Sequence, residues 1–192
     1  MSIKIKFFEI TAPFYEKIHF SGKEKIVQLT EKERFFEKSD RVLDLAGGTG
    51  RISQLFVKKV QEIIVADASE KMLAQCRKKQ GLKCEFALAE KLPFPDQSFE
   101  KIIVIDAFHH FQDQAKVILE MRRVLNNNGK IFLEEINPRS FGGLLLKIAE
   151  KILLMGSKFH STKKLKGLFE KSGFKVEIVD RPHSFYNLIV TK

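Results

Sequence analysis

The residues best placed to do chemistry lie where an apolar run ends at a carboxylate and glycines follow. The run ends near Asp44, and Gly47, Gly48 and Gly50 come soon after it. Glycine tolerates dihedral angles that other residues avoid, so this stretch can turn sharply and lets a ligand lie against backbone amides. A helix expected to begin near Arg51 would point its amide donors and partial positive charge at that ligand. The pattern predicts a nucleotide-binding strand–turn–helix.

Two classes of cofactor use such a turn, and acidic residues help to distinguish them. Residues 48–53 match the dinucleotide fingerprint imperfectly, with Ser53 where a third glycine or alanine belongs. A dinucleotide site must accept a pyrophosphate, which Asp44 would repel. S-adenosylmethionine has no phosphate, and its ammonium and sulfonium groups both favour a nearby carboxylate. A second acid, Asp67, ends the next apolar run and can bond the ribose hydroxyls in either class.

Several segments together resemble one known family. Residues 44–50 are similar to the Asp-x-Gly-x-Gly-x-Gly loop of the class I S-adenosylmethionine-dependent methyltransferases, with Ala46 in place of the first glycine. The resemblance is greatest to the small-molecule branch that includes the ubiquinone- and menaquinone-biosynthesis enzymes, and it runs from about Phe8 to the C-terminus. The other segments that resemble this branch are residues 7–16, 65–73, 89–100, 106–111 and 121–130.

The resemblance implies a fold, a cofactor and a set of site residues. The implied fold is α/β: a three-layer, Rossmann-like, seven-stranded, mostly parallel sheet with an N-terminal helical cap and a C-terminal antiparallel hairpin. The implied reaction is methyl transfer from S-adenosyl-L-methionine to a small-molecule acceptor, which leaves S-adenosyl-L-homocysteine. The implied cofactor-binding residues are Tyr15, Asp44, Ala46, Gly47, Gly48, Gly50, Asp67, Ala68, Met72, Leu88, Ala89, Glu90 and Asp106.

Two positions depart from the family pattern. Leu88 stands where the family usually has an aspartate that bonds the adenine amino group, so backbone groups at Ala89 or Glu90 would have to replace it. Ala46 adds a methyl group where the backbone of the family approaches the cofactor closely. Both departures are compatible with cofactor binding and are expected to weaken it.

Two adjacent histidines are the candidate catalytic residues. His109 and His110 follow the fourth expected strand, where the resemblance places the methyl-transfer region. One of them could contact the acceptor or take its proton, and the alternative is a structural pair bonded to backbone carbonyls. Tyr15 is either a cofactor contact or a packed aromatic residue. Glu134 and Glu135 end the fifth strand, and we expect one to face solvent and the other to contact substrate.

Strand and helix patterns alternate along the chain, which predicts a parallel sheet covered on both faces. Ligands of such sheets bind beyond the carboxyl ends of the strands, where these acids and histidines lie. Strands are expected near 41–46, 62–67, 83–88, 101–106 and 130–136, with a closing hairpin from 174–180 and 184–191. Helices are expected within 8–38 and near 51–60, 69–79, 113–125, 141–154 and 162–172.

The length of 192 residues predicts one domain. Thr11 to Pro13 is expected to cap and open the first helix, and 126–129 to form a turn. The amphipathic stretch 144–155 could pack on the sheet, cover an apolar acceptor or attach to a membrane surface, and packing is the preferred interpretation. The expected parts are a helical cap (1–40), a cofactor-binding core (41–136), a candidate substrate lid (137–165) and the last helix end with the hairpin (166–192).

Composition narrows the class of partner. The net charge is +10, but lysines are scattered beside glutamates, which favours a solvated surface over a nucleic-acid footprint. No apolar run approaches the roughly 20 residues of a membrane span, and no signal-peptide core is present, so a cytoplasmic location is expected. Cys76 and Cys84 lack metal-site spacing, so we expect two reduced, buried or half-buried thiols and no metal.

Three other functions compete with small-molecule methyl transfer. They are an NAD(P)-dependent oxidoreductase, an RNA methyltransferase and a non-catalytic cofactor-binding module on the same fold. The patterns leave the acceptor, the acceptor atom, the need for a general base and the oligomeric state open.

Overall fold

The computed structural model describes residues 3–13, 23–153, 155–180 and 184–192, and a mixed sheet lies at its centre. The strands are β1 (Arg41–Leu45), β2 (Glu62–Asp67), β3 (Lys83–Phe86), β4 (Phe99–Ile105), β5 (Leu125–Ile136), β6 (Lys175–Asp180) and β7 (Phe185–Thr191). Their spatial order is β3-β2-β1-β4-β5-β7-β6. Strands β1 to β5 pair in parallel, and β7 runs antiparallel to both β5 and β6. The predicted sheet and its closing hairpin are confirmed.

Helices cover this sheet, and most begin at a side chain that caps them. Ser69, Asp113, Ser140 and Ser161 each accept a hydrogen bond from the backbone amide three residues on, which satisfies one unpaired donor of the helix start. The described helices are α1 (Ile3–Thr11), α2 (Lys23–Lys32), α3 (Glu70–Cys76), α4 (Gln114–Val124), α5 (Phe141–Ile152) and α6 (Thr162–Lys171).

The core has two apolar layers, one on each face of the sheet. Neighbouring residues of a strand point to opposite faces, so Val42 belongs to one layer and Leu43 to the other. Ile103 and Ile102 of β4 divide in the same way. Burial on both faces explains why these strands read as continuous apolar runs. It also confines polar side chains to the strand ends, where the site lies.

The α-helix predicted at 51–60 is wrong. The chain instead forms a 3₁₀ turn over Ser53–Leu55, in which the Phe56 amide donates to the Ser53 carbonyl at 2.9 Å. Ser53 Oγ donates to Asp44 and Phe56 is buried, so both ends of the turn are fixed to the core. We attribute the missing helix to these anchors. The glycine turn therefore does not face the N-terminus of an α-helix.

One further local prediction needs correction, and another lies partly outside the described residues. Thr11 is the last residue of α1, and its hydroxyl donates to the Phe7 carbonyl at 3.0 Å. A helix opened by Thr11 to Pro13 would occupy residues 14–22, which lie outside the described ranges, so that expectation stays a prediction. The expected turn at 126–129 lies within β5 as an irregular segment, where Asn128 has a φ of +63° and the pairing with β4 is interrupted.

The face of α5 that was expected to pack on the sheet is largely exposed. Only Gly143 and Glu150 are buried among the residues of this helix, whereas Phe141 and Ile152 are 81% and 75% exposed. Ordinary packing therefore does not account for its apolar composition. The two other interpretations of this helix, a lid over the acceptor and a contact with a membrane surface, stay predictions.

The two cysteines form a disulfide, so the prediction of separate reduced thiols is wrong. Cys76 is the last residue of α3 and Cys84 lies in β3, with their Cα atoms 6.2 Å apart. A short connection returns the chain from the helix to the adjacent strand and brings the two together. Their spacing in the sequence carries no such signal.

Across the described ranges, every helix is too short or too polar to cross a membrane. The boundaries of the cap, core and lid stay predictions.

Candidate functional site

Asp44 lies directly beneath the glycine turn. Its carboxylate is buried and accepts a hydrogen bond from Ser53 Oγ at 2.6 Å. Burial raises the pKa of Asp44 to about 7, and the nearby charge of Asp67 acts in the same direction. A Cβ at Gly47 would collide with this carboxylate, so only glycine fits above it. The turn therefore holds a buried acid against its own backbone.

The backbone conformation of the turn shows why the family has a glycine at the position of Ala46. Ala46 and Gly48 both have φ of +57°, in the left-handed region that glycine adopts freely. An alanine in this conformation costs about 1 kcal/mol, which gives a physical reason for the family's glycine.

Asp67 connects the ends of two strands. Asp67 Oδ2 accepts from the Gly48 amide at 2.9 Å, and Oδ1 accepts from the Ser69 amide at 2.8 Å. Burial raises the pKa of Asp67, although these amides oppose the shift. The turn after β1 and the start of α3 are thus held by one carboxylate.

A cavity of about 270 Å³ opens at the carboxyl ends of the strands. From the turn and the end of β2 it is lined by Ala46, Gly48, Asp67, Ala68 and Met72. From the loops beyond β3 and β4 it is lined by Leu88, Ala89, Glu90, Asp106 and His110. Most of the residues predicted to bind the cofactor therefore surround one space, although their individual roles stay predictions.

Some predicted residues lie behind this cavity. Asp44 lies below the turn, Gly47 contacts the Asp44 carboxylate from within the turn, and a Cβ at Gly50 would lie 2.7 Å from Leu82 Cδ1. These positions shape the turn from beneath. Tyr15 lies outside the described residues.

Sequence reasoning missed part of the lining. Ile5 and Phe8 of α1 reach the cavity, as does Gln112 beyond the 3₁₀ turn Phe108–His110. Helix α1 begins at Ile3, earlier than expected, and Ile5 and Phe8 share one face at a spacing of three. That spacing is the only local signal that could have found them.

His109 is buried among acids instead of facing the cavity. Its Nδ1 lies 2.8 Å from Glu135 Oε2, and Glu135 Oε1 accepts from the Phe108 amide at 2.6 Å. Its Nε2 lies 3.6 Å from Glu150 Oε1. Burial lowers the pKa of His109, but the two glutamates outweigh burial and raise it to about 10. This histidine is placed to hold the loop after β4.

Both glutamates at the end of β5 are buried, so the expectation that one faces solvent is wrong. Every residue of β5 from Ile131 to Ile136 is buried, so both faces of this end of the strand are covered. Burial raises the pKa of Glu134 to about 7 and that of Asp106 to about 6. Asp106 also has a φ of +50°, and its amide donates to the Glu134 carbonyl at 2.8 Å. The site therefore concentrates acidic groups away from water.

Comparison with known proteins agrees with this geometry. A family model described as a methyltransferase domain matches residues 43–133. A demethylmenaquinone methyltransferase of Thermotoga maritima is 42% identical over 105 residues, covering 52% of this chain and 44% of the relative. A ubiquinone/menaquinone biosynthesis C-methyltransferase of Bordetella avium is 36% identical over 105 residues, covering 50% and 41%. Over about half of its length the chain resembles the methyltransferases of ubiquinone and menaquinone biosynthesis.

The methyltransferase fold extends beyond the matched segment. A solved S-adenosylmethionine-dependent methyltransferase of Thermotoga maritima, titled as a possible histamine N-methyltransferase, superposes with a TM-score of 0.80. The superposition covers 100% of both chains at 22% identity, so it shows the fold alone. The chain spans less than half the length of the two curated relatives.

Proposed function

We propose that this methyltransferase transfers the methyl group of S-adenosyl-L-methionine to a small, largely apolar acceptor of the quinone type. The observation that carries the proposal is the composition of the cavity. One end is formed by the glycine turn and Asp67, and another wall by apolar side chains such as Phe8 and Phe111. The relatives named as demethylmenaquinone and ubiquinone/menaquinone methyltransferases support a quinone-type acceptor.

The residues around the cavity fit the chemistry of this cofactor. Asp67 would accept hydrogen bonds from the ribose hydroxyls, and the left-handed backbone at Gly48 leaves room for the cofactor to approach the turn. Backbone groups at Ala89 and Glu90 would bond the adenine, since Leu88 offers no polar side chain. Asp44 would contribute negative charge below the cationic methionine moiety.

The chain's contribution to the reaction is alignment. S-adenosylmethionine, when bound, supplies an already activated methyl group. The protein must hold the acceptor in line with that group, with reacting atoms about 3–3.5 Å apart, and exclude water. Ile5 and Phe8 close the cavity from the side of α1. Of the two histidines, we assign His110 to the acceptor, because it lines the cavity, where its imidazole can contact the acceptor.

The competing functions have less support. A dinucleotide would place its pyrophosphate on a turn that has carboxylates below and beside it, at Asp44 and Asp67. RNA binding has no support from the charges around this cavity, because the charged side chains that line it are all acidic among the described residues, namely Asp67, Glu90 and Asp106. The expected cytoplasmic location and the oligomeric state stay predictions.

Calorimetric titration followed by a transfer assay tests the proposal. We expect S-adenosylmethionine to bind and NADH not to bind, and a radiolabelled methyl group to pass to demethylated quinols. His110→Ala should reduce transfer far more than cofactor binding. Binding of NADH without binding of S-adenosylmethionine would contradict the cofactor assignment. Cofactor binding with no transfer across a broad quinol panel would favour the non-catalytic module.

A further inference from the structure

Two histidines and a glutamate from distant parts of the chain meet at the edge of the cavity. His109 and His110 lie in the 3₁₀ turn after β4, and Glu150 comes from α5. One candidate ligand atom from each residue lies within 4.8 Å of the others. Glu150 is also the only buried charged residue of α5. A helix with an exposed apolar face thus directs an acid at two imidazoles.

The separations between these groups are longer than hydrogen bonds. His109 Nε2 lies 3.6 Å from Glu150 Oε1, and His110 Nδ1 lies 3.9 Å from Glu150 Oε2. Two ligands bound tetrahedrally to one Zn²⁺ at about 2.1 Å lie about 3.4 Å from each other. The observed spacing is therefore close to that of ligands around a shared ion.

A glutamate behind His109 orients its ring for such a role. Glu135 Oε2 is 2.8 Å from His109 Nδ1, which leaves Nε2 directed at Glu150. Metal-binding histidines typically donate their second ring nitrogen to a carboxylate in this way, and the partner fixes the tautomer that binds the ion. Glu135 itself is held by the Phe108 amide.

Glu150 supplies an independent indication that a cation belongs here. It is 5% exposed, and its Oε2 has no hydrogen-bond partner among the residues that the structure describes. A buried carboxylate oxygen without a donor is energetically costly. The surroundings add negative charge, since Glu135 and Asp106 also act electrostatically on His109.

We propose that His109 Nε2, His110 Nδ1 and Glu150 bind a divalent transition-metal ion of the Zn²⁺ type. Two imidazoles and a carboxylate suit such ions and leave at least one coordination position for water or an acceptor oxygen. Ser157 Oγ, 3.2 Å from His110 Nδ1, would yield that nitrogen to the ion. The ion would connect α5 to the loop after β4, next to the methyl-transfer cavity. Sequence spacing gave no sign of it, because Glu150 lies far along the chain from the histidines.

Titration of the chelator-treated protein with Zn²⁺, without S-adenosylmethionine, tests this site separately from the proposed activity. We expect one Zn²⁺ per chain and a rise in melting temperature. Glu150→Gln should weaken binding by more than about 10-fold, since even the loss of an outer partner of a metal ligand has that effect. Co²⁺ should give a visible absorption band that the same variant loses.

Glu170→Gln is the matched control, because Glu170 is an exposed glutamate of α6 that pairs with Lys166. It should bind Zn²⁺ like the unmodified protein. His110→Gln provides a second ligand variant should Glu150→Gln fail to fold, as judged by circular dichroism. Absence of stoichiometric binding, or equal affinity in the ligand variants and the control, would overturn the proposal in favour of a proton between His109 and Glu150.

Discussion

At the scale of single residues, the position of Asp67 allows it both to hold the glycine turn and to bind the cofactor. Each carboxylate oxygen already accepts one backbone amide, from Gly48 or Ser69, and each retains a further lone pair. The same group can therefore hold the turn and still accept ribose hydroxyls.

Replacement of Asp67 by alanine should weaken S-adenosylmethionine binding by roughly 1.5–3 kcal/mol, because a charged acceptor is removed from the cofactor hydroxyls. Isothermal titration calorimetry measures the change. Glu70→Gln is the control, since Glu70 is an exposed acid of α3 that pairs with Arg77. An unchanged dissociation constant for Asp67→Ala would remove Asp67 from the cofactor site.

Asp44 should make cofactor binding depend on pH. Its raised pKa of about 7 means that it is largely protonated at pH 6 and ionised at pH 8. A cationic cofactor favours the ionised form, so the affinity should rise with pH across this window, by up to about 10-fold per unit below the pKa. Binding near pH 7 should release a proton, which calorimetry in two buffers of different ionisation enthalpy detects.

Besides burial, the groups that influence the pKa of Asp44 are Ser53, Asp67 and Arg51. Because the pKa of Asp67 is also raised, Asp44→Asn is needed to assign the effect. That variant should show a flatter pH dependence and a smaller proton release. An affinity that stays constant from pH 6 to 8 in the unmodified protein would contradict the role given to Asp44.

At the scale of elements, α1 is a part of the cap that lines the cavity, through Ile5 and Phe8. Phe8 lines the cavity, and its ring centroid lies 5.0 Å from that of His110 in an edge-to-face arrangement. The helix therefore contributes to the site through side chains that its own sequence gave little reason to select.

Phe8→Ala should weaken ligand binding by about 1–2 kcal/mol, because the cofactor or acceptor would bury less apolar surface. Ile10→Ala on the same helix is the matched control, since Ile10 is 73% exposed and does not line the cavity. Dissociation constants of S-adenosylmethionine and S-adenosylhomocysteine measure both variants. Equal affinities in the two variants would remove α1 from the binding surface.

The elements were largely predictable, and the exceptions have local causes. The strands could be predicted from the spacing of apolar residues along the chain. The starts of the helices could be predicted from capping residues such as Ser69 and Asp113. The helix predicted at 51–60 does not form, because tertiary contacts of Ser53 and Phe56 outweigh helix propensity. The exposure of the apolar face of α5 could not be predicted from the sequence. An amphipathic pattern indicates which face of a helix is apolar, but it does not indicate which part of the protein covers that face.

At the scale of the whole molecule, the disulfide should contribute to global stability. Cys76 and Cys84 are eight residues apart, so the bond closes a small loop of the unfolded chain. The entropy removed by such a loop corresponds to roughly 2–3 kcal/mol of unfolding free energy. Urea denaturation with and without dithiothreitol should show this loss on reduction. A Cys76→Ser/Cys84→Ser variant should not respond to the reductant, and an unmodified protein that is equally indifferent would argue against the bond.

Sequence alone determined the order of strands and helices, the acidic glycine turn and most of the cavity lining, because these depend on local periodicity and on the rule that strand ends meet at one edge of a parallel sheet. Only the tertiary structure decided that His109 faces Glu135 and Glu150 while His110 faces the cavity. It also decided the Cys76–Cys84 bond and the reach of Phe8. The physical reason is common to all of these. Contacts between separate elements depend on how helices and loops pack against the sheet, and no short stretch of sequence encodes that packing.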